Sequence, residues 1–262
     1  MKNIPSAGPS ITQAEINLVT EAIKDGWGDK MSFYIDQFID EFSAYVGVKY
    51  TLPTAHCTDA IHLSMLALDI SIGDEVIVPD LTWVASASPI IHVGAIPVFA
   101  DIDPINWCIT AKSIERCITA KTKAVVIVDL LGNMPEWQEI LELCQRKGIR
   151  IIEDAAEGLG AAYNGKQAGS FGEISLFSFS PTKLIMSGQG GAFCTNDHSL
   201  YKKAKLYSQH GIDEELTGKY YWSNIVGYNY KWTNIQASLA LAQLRRIDEL
   251  IVYKEWLFQK FY

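Results

Sequence analysis

From Lys49 onward, short apolar runs alternate with helical segments, and few architectures accept that alternation. The runs are Tyr50 to Leu52, Glu75 to Val78, Ile96 to Ala100, Ala124 to Val128, Ile149 to Ile152, Ile174 to Phe179 and Ala192 to Cys194. Helical periodicity fills several gaps, at Thr58 to Leu68, Val84 to His92, Ala111 to Cys117 and Glu136 to Arg146. Strands alternating with helices of this length need right-handed crossovers, which lay parallel strands side by side with helices on both faces. The expected fold class is therefore α/β, one large domain over residues 1–230 built on a mostly parallel seven-stranded sheet sandwiched by helices. Two further amphipathic helices, Thr12 to Lys24 and Tyr34 to Val46, precede the sheet.

The C-terminal part reads differently. A long helix is expected from Asn234 to the end, with Leu239, Leu241, Leu244, Ile247, Leu250 and Ile251 as its apolar stripe. No cap, glycine or proline stops it before Tyr262, so this end reads as cut.

Within the alternating region, residues 151–191 carry the densest chemistry. One strand delivers Glu153 and Asp154 to its carboxyl end, and another delivers Ser178, Ser180, Thr182 and Lys183. Ligands of open α/β sheets bind outside the carboxyl ends of strands, so the two tips point to one site. An acid and a lysine there fit a cofactor cradle, a metal site or a structural ion pair. An aspartate of this kind can keep a pyridinium nitrogen protonated, and a lysine can form a Schiff base with an aldehyde cofactor.

Three other segments bear on that choice. In T-A-H-C-T-D-A, residues 54–60, a helix start offers free backbone amides and the Thr58 hydroxyl to an anion; the plainer alternative is that Thr58 or Asp59 caps the helix. In P-D-L-T-W-V-A-S, residues 79–86, Trp83 stands where a strand tip meets a helix start and can stack on a flat heterocycle, or else fill the core. Gly188-Gln189-Gly190-Gly191 is neither a Walker loop nor a dinucleotide fingerprint, and is expected to form a tight turn beside the lysine.

Composition removes other classes. A net charge of −8, with no basic run, argues against a nucleic-acid or anionic-membrane surface. No apolar stretch reaches the roughly 20 residues of a membrane span, and the N-terminus has no signal-peptide core, so a soluble, cytoplasmic protein is expected. The five cysteines contain no C-x-x-C pair and the five histidines no H-x-x-x-H, so free thiols and no metal are expected.

Taken in order, G-D-E-V-I-V-P-D-L-T-W-V-A-S, P-V-F-A-D-I-D-P, I-E-D-A-A-E, F-S-F-S-P-T-K, G-Q-G-G and G-Y-N-Y-K-W-T-N-I-Q-A resemble the sugar aminotransferase family of fold-type-I pyridoxal-phosphate enzymes, the DegT/StrS type. The resemblance runs from Ile4-Pro5 to about Glu249. Within the family, W-C-I-T, V-G-Y-N-Y-K and A-L-A-Q-L-R-R-I-D are most similar to members that make GDP-perosamine by aminating a GDP-linked 4-keto-6-deoxy sugar.

The resemblance implies pyridoxal 5'-phosphate as cofactor. Lys183 becomes the Schiff-base lysine and proton shuttle, and Asp154 the partner of the pyridine nitrogen. Glu157 falls near the ring hydroxyl and Trp83 stacks on the ring. Cys57, Thr58 and Ser178 hold the phosphate, with Asn229 reaching it across a homodimer interface. The implied reaction moves an amino group from L-glutamate to the keto carbon of a nucleotide sugar. Cys57 stands where many relatives have glycine, Asp129-Leu130-Leu131-Gly132 replaces H-L-Y-G, and Gly188-Gln189-Gly190-Gly191 replaces G-E-G-G. Family members continue for on the order of 100 further residues. That implies that residues 231–262 begin a helix leading to a small C-terminal domain absent from this chain.

Rival readings are a dehydratase of the same family working with pyridoxamine phosphate, a truncated or non-catalytic relative with a binding role, and a nicotinamide-dependent epimerase. The dehydratases carry histidine where this chain has Lys183, and the epimerase lacks its glycine fingerprint here.

Overall fold

The computed structural model describes residues 8–213 and 220–261; Ile4-Pro5 and Tyr262 lie outside the described residues. The seven apolar runs form strands β1 (Tyr50–Thr54), β2 (Glu75–Pro79), β3 (Ile96–Ala100), β4 (Thr122–Val128), β5 (Arg150–Asp154), β8 (Ile174–Ser178) and β9 (Gly191–Thr195) of one sheet. A small hairpin, β6 (Ala162–Tyr163) and β7 (Lys166–Gln167), lies between β5 and β8. The sheet order is β1-β9-β8-β5-β4-β2-β3. Its pairings are parallel except around β9, which runs antiparallel to both β1 and β8. The β8–β9 connection contains no helix, and without a crossover a chain can return only in the opposite direction.

Period-two burial splits the strands between two cores. On one face Val76, Val78, Ala124, Val126, Ile152, Leu176 and Phe193 pack beneath α3 (Cys57–Ala67) and α7 (His198–Ser208). On the other, Ile77, Val125, Ile127 and Ile151 meet α5 (Ala111–Cys117) and α6 (Trp137–Lys147). Farther along that face, Phe177, Ala192 and Cys194 meet α2 (Phe33–Val46) and α8 (Asn234–Leu244). Phe38 sits at the centre of this last cluster, with ring centroids 5.1 Å from Phe42, 5.3 Å from Phe179 and 4.9 Å from Trp232. Burying each of those rings contributes about 2–3 kcal/mol.

Three local features depart from the sequence reading. Val84 to His92 is not one helix: a 3₁₀ turn, Val84–Ser86, precedes the five-residue α4 (Ser88–His92). Pro89 favours a first helical turn and so starts a new helix rather than continuing one. The helix α7 was not expected, because its K-K-A-K run masks a narrow apolar stripe; Asp197 starts it by accepting from the Ser199 and Leu200 amides at 2.7 and 3.2 Å. Residues 234–261 form two helices, α8 and α9 (Ile247–Phe261), rather than one.

Two adjacent arginines mark the break. Arg245 forks onto Glu41 of α2, and Arg246 turns to Glu15 of α1 (Gln13–Asp25) and Glu249 of α9. Glu15 is also the capping-box partner of Thr12, so the start of α1 and the α8–α9 junction share one buried carboxylate. Among the described residues no helix is long and apolar enough to cross a membrane, and no group of three metal-ligating side chains occurs.

Candidate active site

Six of the seven main strands point the same way, so the turns after β1, β2, β4, β5 and β8 gather at one edge. Asp154 ends β5 and is buried, with 4% exposure. Its Oδ2 accepts from the Ser86 hydroxyl at 2.7 Å and its Oδ1 from the Ala156 amide at 3.2 Å. Burial pushes its carboxyl up; the Ser86 and Ala156 bonds and the Lys183 charge oppose that rise. Ser86 in turn exchanges a hydrogen bond with Thr82 at 2.9 Å. The turn that carries Trp83 therefore also fastens Asp154. Trp83 itself is 75% exposed, which removes the core alternative.

Lys183 lies in the turn after β8, its amide bonded to the Ser180 carbonyl at 3.0 Å. Its Nζ donates to Glu157 Oε1 at 3.2 Å, and Glu157 Oε2 accepts from the Leu131 amide at 2.8 Å. The lysine thus pairs with Glu157, not with Asp154, so the ion-pair alternative for Asp154 and Lys183 does not hold. The two side chains are 20% and 29% exposed, and a pair so placed contributes under about 1 kcal/mol. Its effect is orientation rather than stability. Glu157, Ser178, Thr182 and Lys183 line one cavity of about 540 Å³, whose far wall is Ile251, Lys254 and Glu255 of α9.

The anion seat is built by a close packing of main chains. Helix α3 starts at Cys57, behind His56, with no side chain capping it. Thr58 and Asp59 lie inside the first turn, so neither is the cap; Asp59 is instead bonded to His56 Nδ1 at 3.2 Å. First-turn amides have no partner within a helix, which leaves those around Cys57 and Thr58 available to an anion. Gly191 opens β9 opposite Ser178. A Cβ at Gly191 would lie 2.5 Å from the Cys57 nitrogen, so only glycine lets β9 and the Ser178 strand approach this turn. The four-residue stretch 188–191 thus serves the helix start as well as the lysine turn. Desolvation, with Asp154 adding to it, pushes the Cys57 thiol up, so it sets no charge against an anion.

Asn229 is exposed and makes no side-chain hydrogen bond among the described residues. Its neighbours fix its backbone: the Tyr228 amide bonds to the Tyr207 carbonyl at 2.7 Å, and the Ala55 amide bonds to the Tyr230 carbonyl at 3.0 Å. Ser86, Thr82, the Leu131 amide and the α9 wall were missed in the sequence. Ser86 and Thr82 flank Trp83 in an already noted motif, so a search for hydroxyls around that tryptophan would have found them. The α9 wall carries no local signal, because only packing brings residues 251–255 to the β8 turn.

These residues fit pyridoxal phosphate. A buried carboxylate can supply the anion that a protonated ring nitrogen needs, and an uncapped helix start with a nearby hydroxyl suits the phosphate. A lysine in the adjoining cavity suits the aldehyde.

The model of the DegT/DnrJ/EryC1/StrS aminotransferase family matches residues 9–261. The chain is 41% identical over 254 residues to the GDP-perosamine synthase of Escherichia coli O157:H7, covering 97% of this chain and 69% of that protein. It is 40% identical over 251 residues to the GDP-perosamine synthase of Vibrio cholerae, covering 96% and 68%. Among solved structures, an aminotransferase from Psychrobacter cryohalolentis superposes with a TM-score of 0.88 at 34% identity, covering 93% of this chain and 64% of its own. The chain therefore spans about two thirds of the length of the relatives it matches. It belongs to the DegT/DnrJ/EryC1/StrS aminotransferase family, a pyridoxal-phosphate-dependent family of fold-type-I architecture.

Proposed function

We propose that this chain carries the cofactor-binding domain of an aminotransferase that moves an amino group from L-glutamate to a GDP-linked 4-keto-6-deoxy sugar. The single observation that carries the reading is Asp154. It is a buried acid with both oxygens engaged by neutral donors and no ion-pair partner among the described residues. Burial makes its charge costly, and a protonated ring nitrogen would offset that cost. The perosamine-synthase relatives support the sugar class.

Bound pyridoxal phosphate supplies an electron sink for the amino-acid α-carbon. Asp154 holds the proton on the ring nitrogen. The start of α3, with Thr58 and Ser178, would hold the phosphate, and the exposed Trp83 would offer its face to the ring. With the cofactor bound, Lys183 Nζ would be the base for the proton of the amino-acid α-carbon, and Glu157, which accepts from Nζ here, would keep it aimed.

A homodimer working in the cytoplasm belongs to the same proposal. The exposed run Tyr220-Tyr221-Trp222 (81%, 93% and 71%) and the exposed Asn229, whose side chain has no hydrogen bond among the described residues, support it.

The test is to add pyridoxal phosphate to the purified protein and record its absorbance, with Lys183→Ala in parallel. A shifted band in the parent that is lost in the variant is expected. No band in the parent, or the same band in both, overturns the assignment.

A further inference from the structure

Asp129 follows β4 at the same sheet edge and has no part in the mechanism above. It is wholly buried, with 0% exposure, and neither carboxyl oxygen has a hydrogen-bond partner among the described residues. Its amide bonds to the Asp154 carbonyl at 3.1 Å, which fixes it beside that acid. Gly158 closes over it: a Cβ there would lie 2.8 Å from Asp129 Oδ2. A buried, charged carboxylate without donors is among the costliest groups a fold can hold, so this one demands an account.

The groups around it supply one. Glu153 and Asp154 of β5 lie near enough for their charges to act on it, and its own charge acts on the Cys108 thiol. Glu153 is also wholly buried, but it has four donors, one of them on Oε1, which can accept one more. The Gly169 amide bonds to its Oε1 at 2.5 Å; the Phe171 amide, the Gly172 amide and the Ser175 hydroxyl bond to its Oε2 at 2.8, 2.9 and 3.1 Å. Asp154 has its two donors. Burial raises all three neighbouring carboxyls; hydrogen-bond donors oppose that rise in Glu153 and Asp154, and none opposes it in Asp129.

We propose that Asp129 is a positioning residue: it keeps its own proton, offers it to Glu153, and so leaves Asp154 as the one carboxylate of the trio free to face a cofactor ring. Burial and the two neighbouring negative charges push the Asp129 carboxyl well above its ordinary value, in agreement with that geometry. A neutral carboxyl is both donor and acceptor, which turns an orphaned anion into a bridging group. Were Asp129 to ionise, a third negative charge would enter the patch, Asp154 would take up a proton in response, and its hold on the ring nitrogen would weaken. The second half of the inference, the effect on the ring, rests on the function proposed above. The first half, the retained proton, does not.

The test uses the cofactor-free protein first. Infrared spectra at neutral pH are expected to show a carbonyl band of a protonated buried carboxyl, and Asp129→Asn is expected to remove it. The same variant is expected to raise the urea midpoint at neutral pH. The sign follows from linkage: a carboxyl whose folded value is raised holds a proton that the unfolded chain releases, so stability falls as pH climbs above the ordinary value of 3.8. Asparagine removes that penalty. The absorbance of bound pyridoxal phosphate is then titrated. Its alkaline transition is expected to move by about one pH unit in Asp129→Asn.

If Asp129→Asn does not fold, Ser175→Ala takes its place. Removing a donor from Glu153 draws the shared proton toward it, which shifts the infrared band. Absence of a protonated-carboxyl band in the parent, a band unchanged in both variants, or an unmoved alkaline transition overturns the proposal. Loss of cofactor binding by the parent protein overturns the proposed function instead and leaves the infrared result standing.

Discussion

Lys183 Nζ and the Leu131 amide are held by the two oxygens of one carboxylate, that of Glu157, at 3.2 and 2.8 Å. The pairing ties the turn after β8 to the turn after β4. Leu131 adopts a left-handed conformation, φ 56°, which non-glycine residues keep only when something holds it. Glutamine at 157 has one acceptor oxygen and cannot serve both donors. Glu157→Gln is expected to lower the rate of a single turnover with glutamate about tenfold, with cofactor still bound. Stopped-flow absorbance measures it; an unchanged rate would mean Glu157 does not aim the lysine.

Gly191→Ala places a methyl group 2.5 Å from the Cys57 nitrogen and 2.6 Å from its Cα. Both are main-chain atoms of a helix start and cannot step aside cheaply. The variant is expected to lose about 2–3 kcal/mol of stability and most of its affinity for pyridoxal phosphate. Urea denaturation and a cofactor titration read the two losses separately.

Asn234 joins three segments. Its Nδ2 donates to the Gly26 and Lys30 carbonyls, each at 3.1 Å, and its Oδ1 accepts from the Tyr34 amide at 2.9 Å. Asn234→Ala leaves three main-chain groups without partners near a buried position and is expected to cost about 3 kcal/mol, measured by urea denaturation. The absorbance of bound cofactor should be unaltered in protein that remains folded, since no site residue is touched.

Acid should loosen the α1 anchor. Burial alone would raise the Glu15 carboxyl, but hydrogen bonds from Thr12 and Arg246 outweigh it and hold it at about 2. A carboxylate lowered in this way adds stability above its unfolded value and loses it as pH falls from about 4.5 toward 2. The contribution is on the order of 3 kcal/mol at neutral pH. Urea midpoints measured between pH 6 and about 3 should fall less steeply in Glu15→Gln than in the parent.

The strands were legible because burial on both faces leaves an apolar run that polar turns must interrupt, and Asp154 and Lys183 stood out as charges at the ends of such runs. Strand direction was not legible. The run Ala192 to Cys194 has the same composition as its parallel neighbours, and only the helix-free connection before it betrays the reversal. The break after Leu244 was equally silent, since Arg245 and Arg246 read as ordinary exposed positions until their acids, Glu41 and Glu15, are brought in from 200 residues away. Within the site, the side chains proposed to hold the cofactor were visible as motifs. Those that hold these side chains in place were harder to see: Ser86 and Thr82 stood in a noted motif but act on Asp154, 68 residues on from Ser86, and the Leu131 amide, a main-chain group, left no pattern.

The position of β9 between β1 and β8 also sets an order of events during synthesis. A ribosome releases β1 long before β9, and among the described residues β9 is the one strand of the sheet that pairs with β1. Until residue 195 has emerged, the N-terminal strand lacks its hydrogen-bonded partner in the sheet, so a nascent chain already containing Asp154 and Lys183 still lacks the approach of Gly191 to the start of α3. The last strand of the sheet to be made is the wedge that brings the first one home.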